Sequence, residues 1–275
     1  MSNTNGRDDM LATNKRQKEF YNATGSKRKK NLPSRVWSFV RNGLLASYRR
    51  NFNISERVYA QHKIWLGDLS DKKVLDLGCL SGNALSVYQA ENAKSYTGID
   101  LSETGIAVLK KKLEKAGCTN ARAVAVDFLS DAFSETDFDV IYAYGVLHHF
   151  ENLEVLIDRL NSKLADGGKV IAYDPLNTSF PVKVLRFIYR PFQSDKDWEW
   201  PFDEKTVNSF YTHFKVLDVK GVLGKSKYGI PLSLLPLNRK FKNRVIQKWI
   251  DQDWNISSEQ DIHKCMHVTM LMQKK

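Results

Sequence analysis

Between Lys73 and Pro175 the chain alternates short apolar runs with segments of helical period, and few folds accept that alternation. The runs are KKVLDLGC, SYTGID, ARAVAVDF, FDVIYAYG and GGKVIAYDP. Helical patterns lie between them at residues 83–91, 103–116 and 153–165, with Gly117 and the pair Gly167 and Gly168 as stops. A strand that is apolar without interruption is buried on both faces, as in a parallel sheet, and parallel neighbours need a crossover helix between them. The expected fold class is therefore α/β, a doubly wound sheet covered on both sides. After Pro175 the rhythm breaks. Two more strands are expected at 214–223 and 266–273, the last with no helix after it, which calls for antiparallel pairing at that end of the sheet.

The first run ends in Val74-Leu75-Asp76-Leu77-Gly78-Cys79-Leu80-Ser81-Gly82. A buried strand entering a glycine turn and then a helix places that turn at the carboxyl edge of a doubly wound sheet, where ligands bind. Asp100 ends the second run, 22 residues after Gly78, at the spacing of a carboxylate that accepts hydrogen bonds from a ribose diol. A plain structural turn with a solvated carboxylate is the competing reading. A dinucleotide site asks for GxGxxG facing a pyrophosphate, whereas Gly78 and Gly82 are differently spaced and Asp76 would repel one. An adenosyl ligand with an amino-acid tail fits the turn better.

With these motifs assembled, the stretch from about Lys73 to Pro175 resembles the core of the class I S-adenosylmethionine-dependent methyltransferases. The elements that carry the likeness are VLDLGCLSG, YTGIDLS, Asp127-Phe128, FDVIYAYGVLHH and LADGGKVIAYDP. The resemblance implies a Rossmann-like seven-stranded sheet, mostly parallel with an antiparallel last strand, plus a helical cap and lid. It also implies S-adenosyl-L-methionine as cofactor. Asp76, Gly78 and Gly82 would line its methionine end, with Leu80 in the same loop. Asp100 would hold the ribose hydroxyls, Leu101 would pack on the adenine, and Asp127 with Phe128 would take its amino edge and flank. Tyr144 and Gly145 complete the expected cofactor set. Leu80 departs from the family, which usually has glycine there; a degenerate site in a non-catalytic binding protein is the alternative this opens.

Methyl transfer to a hydroxyl needs a base near neutrality, most often histidine. His148 and His149 follow the fourth strand, Asp174 ends the fifth, and neighbouring strands lie ~4.8 Å apart. His148, His149 and Asp174 are therefore the expected catalytic residues, the carboxylate orienting an imidazole over the acceptor. The Leu-His-His segment with a later Asp resembles small-molecule and sugar O-methyltransferases of the same superfamily. The competing reading has His148 touching cofactor, His149 capping the next helix and Asp174 opening a turn. His62, His213, His263 and His267 are expected to be structural or on the surface.

The chain of 275 residues carries a formal net charge of +11, unevenly distributed. Residues 1–70 hold 14 basic and 5 acidic side chains, residues 71–175 hold 11 and 16, and residues 176–275 hold 17 and 10. The middle is acidic and the flanks are basic, so the charge describes the acceptor or a surface. The expected division is a basic helical cap at 1–70 and a methyltransferase domain at 71–275, with lid insertions at about 176–212 and 224–263. Within the cap, residues 1–30 are expected to be frayed or loosely docked, and Val36, Phe39 and Val40 belong to a helical pattern.

Aromatics and cations interleave at 180–202 and 228–249. They fit plain lid packing with a solvated basic face, or else an anionic small-molecule, sugar or glycan acceptor, or a lipid-linked one at a membrane surface. RNA methylation ranks behind these, since no RNA-binding module is recognisable. Cys79, Cys118 and Cys265 show no CxxC spacing, so neither a disulfide framework nor a metal site is expected. No apolar run approaches ~20 residues, and the opening MSNTNGRDDM is polar, so the expected compartment is the cytoplasm.

Overall fold

The structure is a computed structural model that describes residues 13–19, 22, 40–193 and 196–275. The basic cluster Lys27, Arg28, Lys29, Lys30 and the helical positions Val36 and Phe39 lie outside the described residues, as does the side chain of Val40. In chain order the helices are α1 (13–19), α2 (Ala46–Asn51), α3 (Ile54–Leu66), α4 (Ser86–Asn92), α5 (Glu103–Lys115), α6 (Leu153–Lys163), α7 (Phe180–Tyr189), α8 (Glu204–His213), α9 (Gly229–Leu234), α10 (Arg239–Trp254) and α11 (Glu259–Ile262). The strands are β1 (Lys73–Leu77), β2 (Ser95–Asp100), β3 (Ala121–Ala125), β4 (Phe138–Tyr144), β5 (Leu164–Pro175), β6 (Phe214–Val222) and β7 (His267–Lys274).

They form one seven-stranded sheet in the order β3-β2-β1-β4-β5-β7-β6. The pairs from β3 to β5 are parallel. β7 runs antiparallel to both its neighbours and sits between β5 and β6. The expected antiparallel end is thus made by the last strand entering one position inside the edge. None of the described helices is long and apolar enough to cross a membrane.

Alternate residues along each central strand feed two cores, as the period of two requires. Leu75, Leu77, Ile141, Ala143, Val170 and Ala172 pack with α6 and α8 through Leu156, Ile157, Leu160, Val207 and Phe210. Val74, Val140, Tyr142 and Ile171 face the other side, against Trp65 and Leu66 of α3, Ala90 of α4 and Ile106, Leu109 and Leu113 of α5. Helix ends follow local chemistry. Ser102 caps α5 by accepting from the Gly105 N–H, Lys112 and Lys115 sit in its last turn, and Gly117 stops the chain at φ +70°.

One polar chain crosses the second core. His62 of α3 is fully buried, with Nδ1 3.0 Å from the Tyr142 hydroxyl and Nε2 2.6 Å from Thr269 Oγ1. Thr269 Oγ1 donates to the Ala172 carbonyl at 2.8 Å. That hydroxyl must therefore accept from His62 Nε2–H, which leaves Nδ1 to accept from Tyr142. The chain fixes the neutral tautomer and ties α3 to β4, β7 and β5. His62 is structural, as expected.

Burial pulls the pKa of His62 from 6.5 down to about 3. Below 6.5 the unfolded chain takes up a proton that the native state refuses, so stability falls with pH from there to about 3. His62→Gln should be less stable than wild type by about 2 kcal/mol in urea melts near about pH 8. That deficit should shrink as the pH is lowered through 6.5. A deficit constant with pH would contradict the neutral, buried histidine.

Candidate active site

The carboxyl ends of β1, β2, β4 and β5 come level at one edge of the sheet. The β1–α4 loop is held down by Gly78 and Cys79 N–H groups, which both donate to the Ile99 carbonyl, at 2.9 and 3.1 Å. Gly78 has φ +67°, and a Cβ there would lie 2.4 Å from Val146 Cγ2, so only glycine lets the β1 and β4 loops meet. Leu80 occupies the left-handed region at φ +45°, which costs a side chain roughly 1–2 kcal/mol. The departure from glycine is accommodated across the loop. A Cβ on Gly105 would lie 2.9 Å from Leu80 Cδ1 and 3.0 Å from its carbonyl carbon, so Gly105 makes the room Leu80 uses. The Leu80 N–H donates to Asp100 Oδ2 at 2.9 Å, and the Ser102 N–H to Asp100 Oδ1 at 2.7 Å.

These elements enclose a cavity of about 300 Å³, at the lower end of small-molecule sites. Gly78, Leu80, Gly82, Asp100, Leu101, Asp127, Phe128, Tyr144, Gly145 and His149 line it, ten of the thirteen residues expected from sequence. No lysine or arginine is among its described walls. Asp100 and Asp127 face it beside the apolar Ile99, Leu101, Val126 and Phe128. Burial raises the pKa of Asp100, while backbone N–H donors from Ser102, Leu80 and Leu101 oppose the rise. Asp127 Oδ1 accepts from the Leu129 N–H at 2.9 Å. Arg159 of α6 fixes the loop that follows by donating to the carbonyls of Phe128, Ser130 and Phe133. Carboxylates flanked by apolar surface suit a ligand with a diol, a flat base and positive charge.

Asp76 is not in the cavity wall. Its carboxylate lies beneath the loop, where Oδ2 accepts from Ser86 Oγ and Tyr96 OH, both at 2.7 Å. Burial, opposed by those two bonds, lifts its pKa to about 6. In this geometry Asp76 holds the loop to α4 and β2; the expectation that it lines the methionine end does not match its position, because its neighbours seal it from the cavity.

His148 and Asp174 also stand behind the wall, and they meet. Asp174 Oδ1 accepts from the His148 backbone N–H at 3.1 Å and lies 2.8 Å from its Nδ1. Burial raises the pKa of Asp174 well above the carboxylate range, with the His148 N–H and the charge on His149 opposing it. The rings of His148 and His149 are 4.1 Å apart, so the pair is continuous with the cavity. His149 does not cap α6: Asn152 does, accepting from the Val155 N–H. His149 Nδ1 instead lies 2.6 Å from the Trp198 carbonyl, and Trp200 N–H donates to the His148 carbonyl, which anchors the segment after α7 over the site.

Two further groups of residues meet here. Asn14 and Gln17 of α1 are buried in the cavity wall, and Asn14 Nδ2 donates to Asp127 Oδ2 at 2.9 Å. Lys18 pairs with Glu103, and Asn22 accepts from the Glu103 N–H. Residues 13–19 are therefore docked on the site, the second of the two alternatives expected for residues 1–30. Their signal in the sequence is only a polar i, i+3 pair.

The second set is a ladder of rings along the strand ends. Tyr59 stacks on Tyr144 at 5.0 Å, Tyr144 on Tyr173 at 4.7 Å, and Tyr173 on His267 at 5.3 Å. Arg49 lies 3.1 Å from His267 Nε2, and since guanidinium only donates, the His267 proton sits on Nδ1. Burial and then the charges of Arg49, Arg186 and His148 hold the His267 pKa well below 6.5. His267, at the start of β7, is stacked on Tyr173 and held by Arg49, outside the cavity lining. Among the described residues no cluster of side chains is arranged to hold a metal ion.

Comparison with known proteins places this arrangement. An uncharacterized protein of Haemophilus influenzae is 34% identical over 110 residues, which cover 38% of this chain and 43% of that protein. A ubiquinone biosynthesis O-methyltransferase of Azoarcus sp. is 32% identical over 118 residues, 41% of this chain and 47% of that enzyme. The chain thus spans less than half the length of each of these two curated relatives. The structure of the N-methyltransferase NodS from Bradyrhizobium japonicum in complex with S-adenosyl-L-homocysteine superposes with a TM-score of 0.52, at 15% identity, over 80% of this chain and 86% of that one. This is a likeness of fold. Residues 45–217, from the turn before α2 into β6, match the family described as a methyltransferase domain. With more than half of its length in that match, the chain belongs to the methyltransferase domain family.

Proposed function

We propose that this protein is an S-adenosylmethionine-dependent methyltransferase that methylates an oxygen of a small-molecule, sugar or lipid-linked acceptor of anionic character. The observation that carries the reading is an acidic cavity shaped for an adenosyl group, continuous with the His148–Asp174 pair. Family membership and the S-adenosyl-L-homocysteine complex of NodS support the cofactor. S-adenosyl-L-methionine supplies an electrophilic methyl group on a sulfonium. Asp100 would hold the ribose hydroxyls, Leu101, Ile99 and Phe128 the faces of the adenine, Asp127 its amino edge, and the backbone from Gly78 to Gly82 the amino-acid tail. A wall with carboxylates and no cation favours a positively charged ligand.

At the acceptor, Asp174 Oδ1, 2.8 Å from His148 Nδ1, would accept from Nδ1–H and so make Nε2 the basic nitrogen that takes the hydroxyl proton. Asp174 stabilises the imidazolium that results. Arg49 and the neutral His267 beside the tyrosine ladder give the acceptor site donors and positive charge, which supports an anionic acceptor. Residues 1–70 would act as the cap, and 176–212 and 224–263 as lids, with Trp198 and Trp200 joining the first lid to the two histidines.

Incubating the protein with methyl-labelled S-adenosylmethionine and a metabolite and glycan extract tests the function. Label should enter a negatively charged small molecule or glycan, and transfer should survive ribonuclease. Label lost on ribonuclease treatment, or none transferred, would contradict the reading. On that acceptor His148→Ala and Asp174→Asn should each lower kcat by about 10²- to 10⁴-fold with little change in the KM for cofactor. Wild-type kcat should fall on the acid side, as Asp174, whose pKa burial raises, takes up a proton.

A separate expectation concerns the loop. Gly105→Ala should weaken S-adenosyl-L-homocysteine binding by about tenfold in equilibrium dialysis, because its Cβ meets the Leu80 backbone. Leu80→Gly should leave binding nearly unchanged, since the bond to Asp100 comes from the backbone.

A further inference from the structure

Helix α7 is built as though it had a core to face, but its apolar stripe points outward. Phe180 is 78% exposed, Phe187 82% and Ile188 60%, and Val184 and Leu185 are also exposed; Val182 alone of its apolar residues is buried. Positions 180, 184, 187 and 188 follow the i, i+4, i+7, i+8 spacing of one helical face. Lys183 and Arg190 are exposed beside it. From Leu176 to Gln193 the chain has three basic residues and no carboxylate side chain.

A second patch has the same make-up. Leu234 is 66% exposed, with Leu235, Leu237 and Phe241 near half exposed, where α9 turns into α10. Lys242 ties this turn by donating to the carbonyls of Ser233 and Leu235. Arg239, Lys240 and Arg244 stand exposed around it. Residues 225–249 hold seven basic side chains and no acidic one.

Topology puts both patches on the edge of the sheet that carries the site. Pro175 at the end of β5 and Val222 at the end of β6 both pair with His267 at the start of β7, so the three ends are level. α7 leaves that edge after β5, and the turn into α9 leaves it after β6. The same edge carries His148 and Asp174.

We propose that these two patches dock on an anionic phospholipid bilayer, and that the acceptor is an amphiphile reached from that surface; the second clause rests on the methyltransferase reading, the first does not. Apolar side chains flanked by cations of one sign match a headgroup layer of negative charge over hydrocarbon. The exposed set is largely aliphatic, and aliphatic side chains gain nothing from stacking on nucleobases, which sets RNA aside.

Vesicle co-sedimentation of the full chain tests this. With vesicles of phosphatidylcholine and phosphatidylglycerol in roughly equal parts, wild type should pellet; with phosphatidylcholine alone it should stay in solution. The pairs Phe187→Ser with Ile188→Ser, and Lys240→Glu with Arg244→Glu, should each lower the partition coefficient by about tenfold or more while S-adenosyl-L-homocysteine binding holds. Protein that remains in the supernatant with both vesicle types, or variants that pellet like wild type, would overturn the proposal. So would a dimer in light scattering that Phe187→Ser with Ile188→Ser abolishes, which would assign the face to a second copy. Failure of cofactor binding in a protein that still pellets would strike the methyltransferase reading and leave the docking surface standing.

Discussion

The parallel register of β1, β2, β4 and β5 is the constraint on which everything at the site depends. Leu77 pairs with Ile99 on one side and Ala143 on the other, and Tyr144 pairs with Tyr173. The residues just beyond these pairs are Gly78, Asp100, Gly145 and Asp174. Because side chains alternate across a sheet, a slip of one residue in β2 would carry Asp100 to the opposite face, and one in β5 would part Asp174 from His148. The register is held by apolar residues that must reach two different cores, and by the His62 chain that fastens β4, β5 and β7 to α3.

Charge is sorted by depth around that edge. Carboxylates sit at the sheet, under the loop at Asp76 and on the cavity wall at Asp100 and Asp127, whereas two of the guanidinium groups near the strand ends stand on elements before and after the core, Arg49 on α2 and Arg186 on α7. In the proposed reading, a cationic cofactor and an anionic acceptor would then be held by different partners.

Much of this was legible in the sequence, and the reasons are physical. Strands that are apolar on both faces, and a glycine turn in which a Cβ would strike Val146, leave local marks, so the sheet class, the loop and Asp100 could be read directly. The contact of His148 with Asp174 followed from strand adjacency alone. What could not be read was non-local: the seat of β7 between β5 and β6, the docking of Asn14 and Gln17, and a ring ladder drawn from four elements. Asp76 was placed at the methionine end by the family resemblance, yet Ser86 and Tyr96, 10 and 20 residues away, decide where its carboxylate goes. The helix after the two histidines is capped by Asn152, not by His149, because a side-chain amide caps better than an imidazole that is already bound elsewhere.

The central claim is that the acidic cavity over Gly78 and Asp100 is an adenosyl site, and titration calorimetry with S-adenosyl-L-methionine tests it most directly. The account predicts saturable one-to-one binding with a Kd between about 1 µM and 1 mM, weakened at least about tenfold by Asp100→Ala. No heat at millimolar ligand, or binding that Asp100→Ala leaves unchanged, would contradict it.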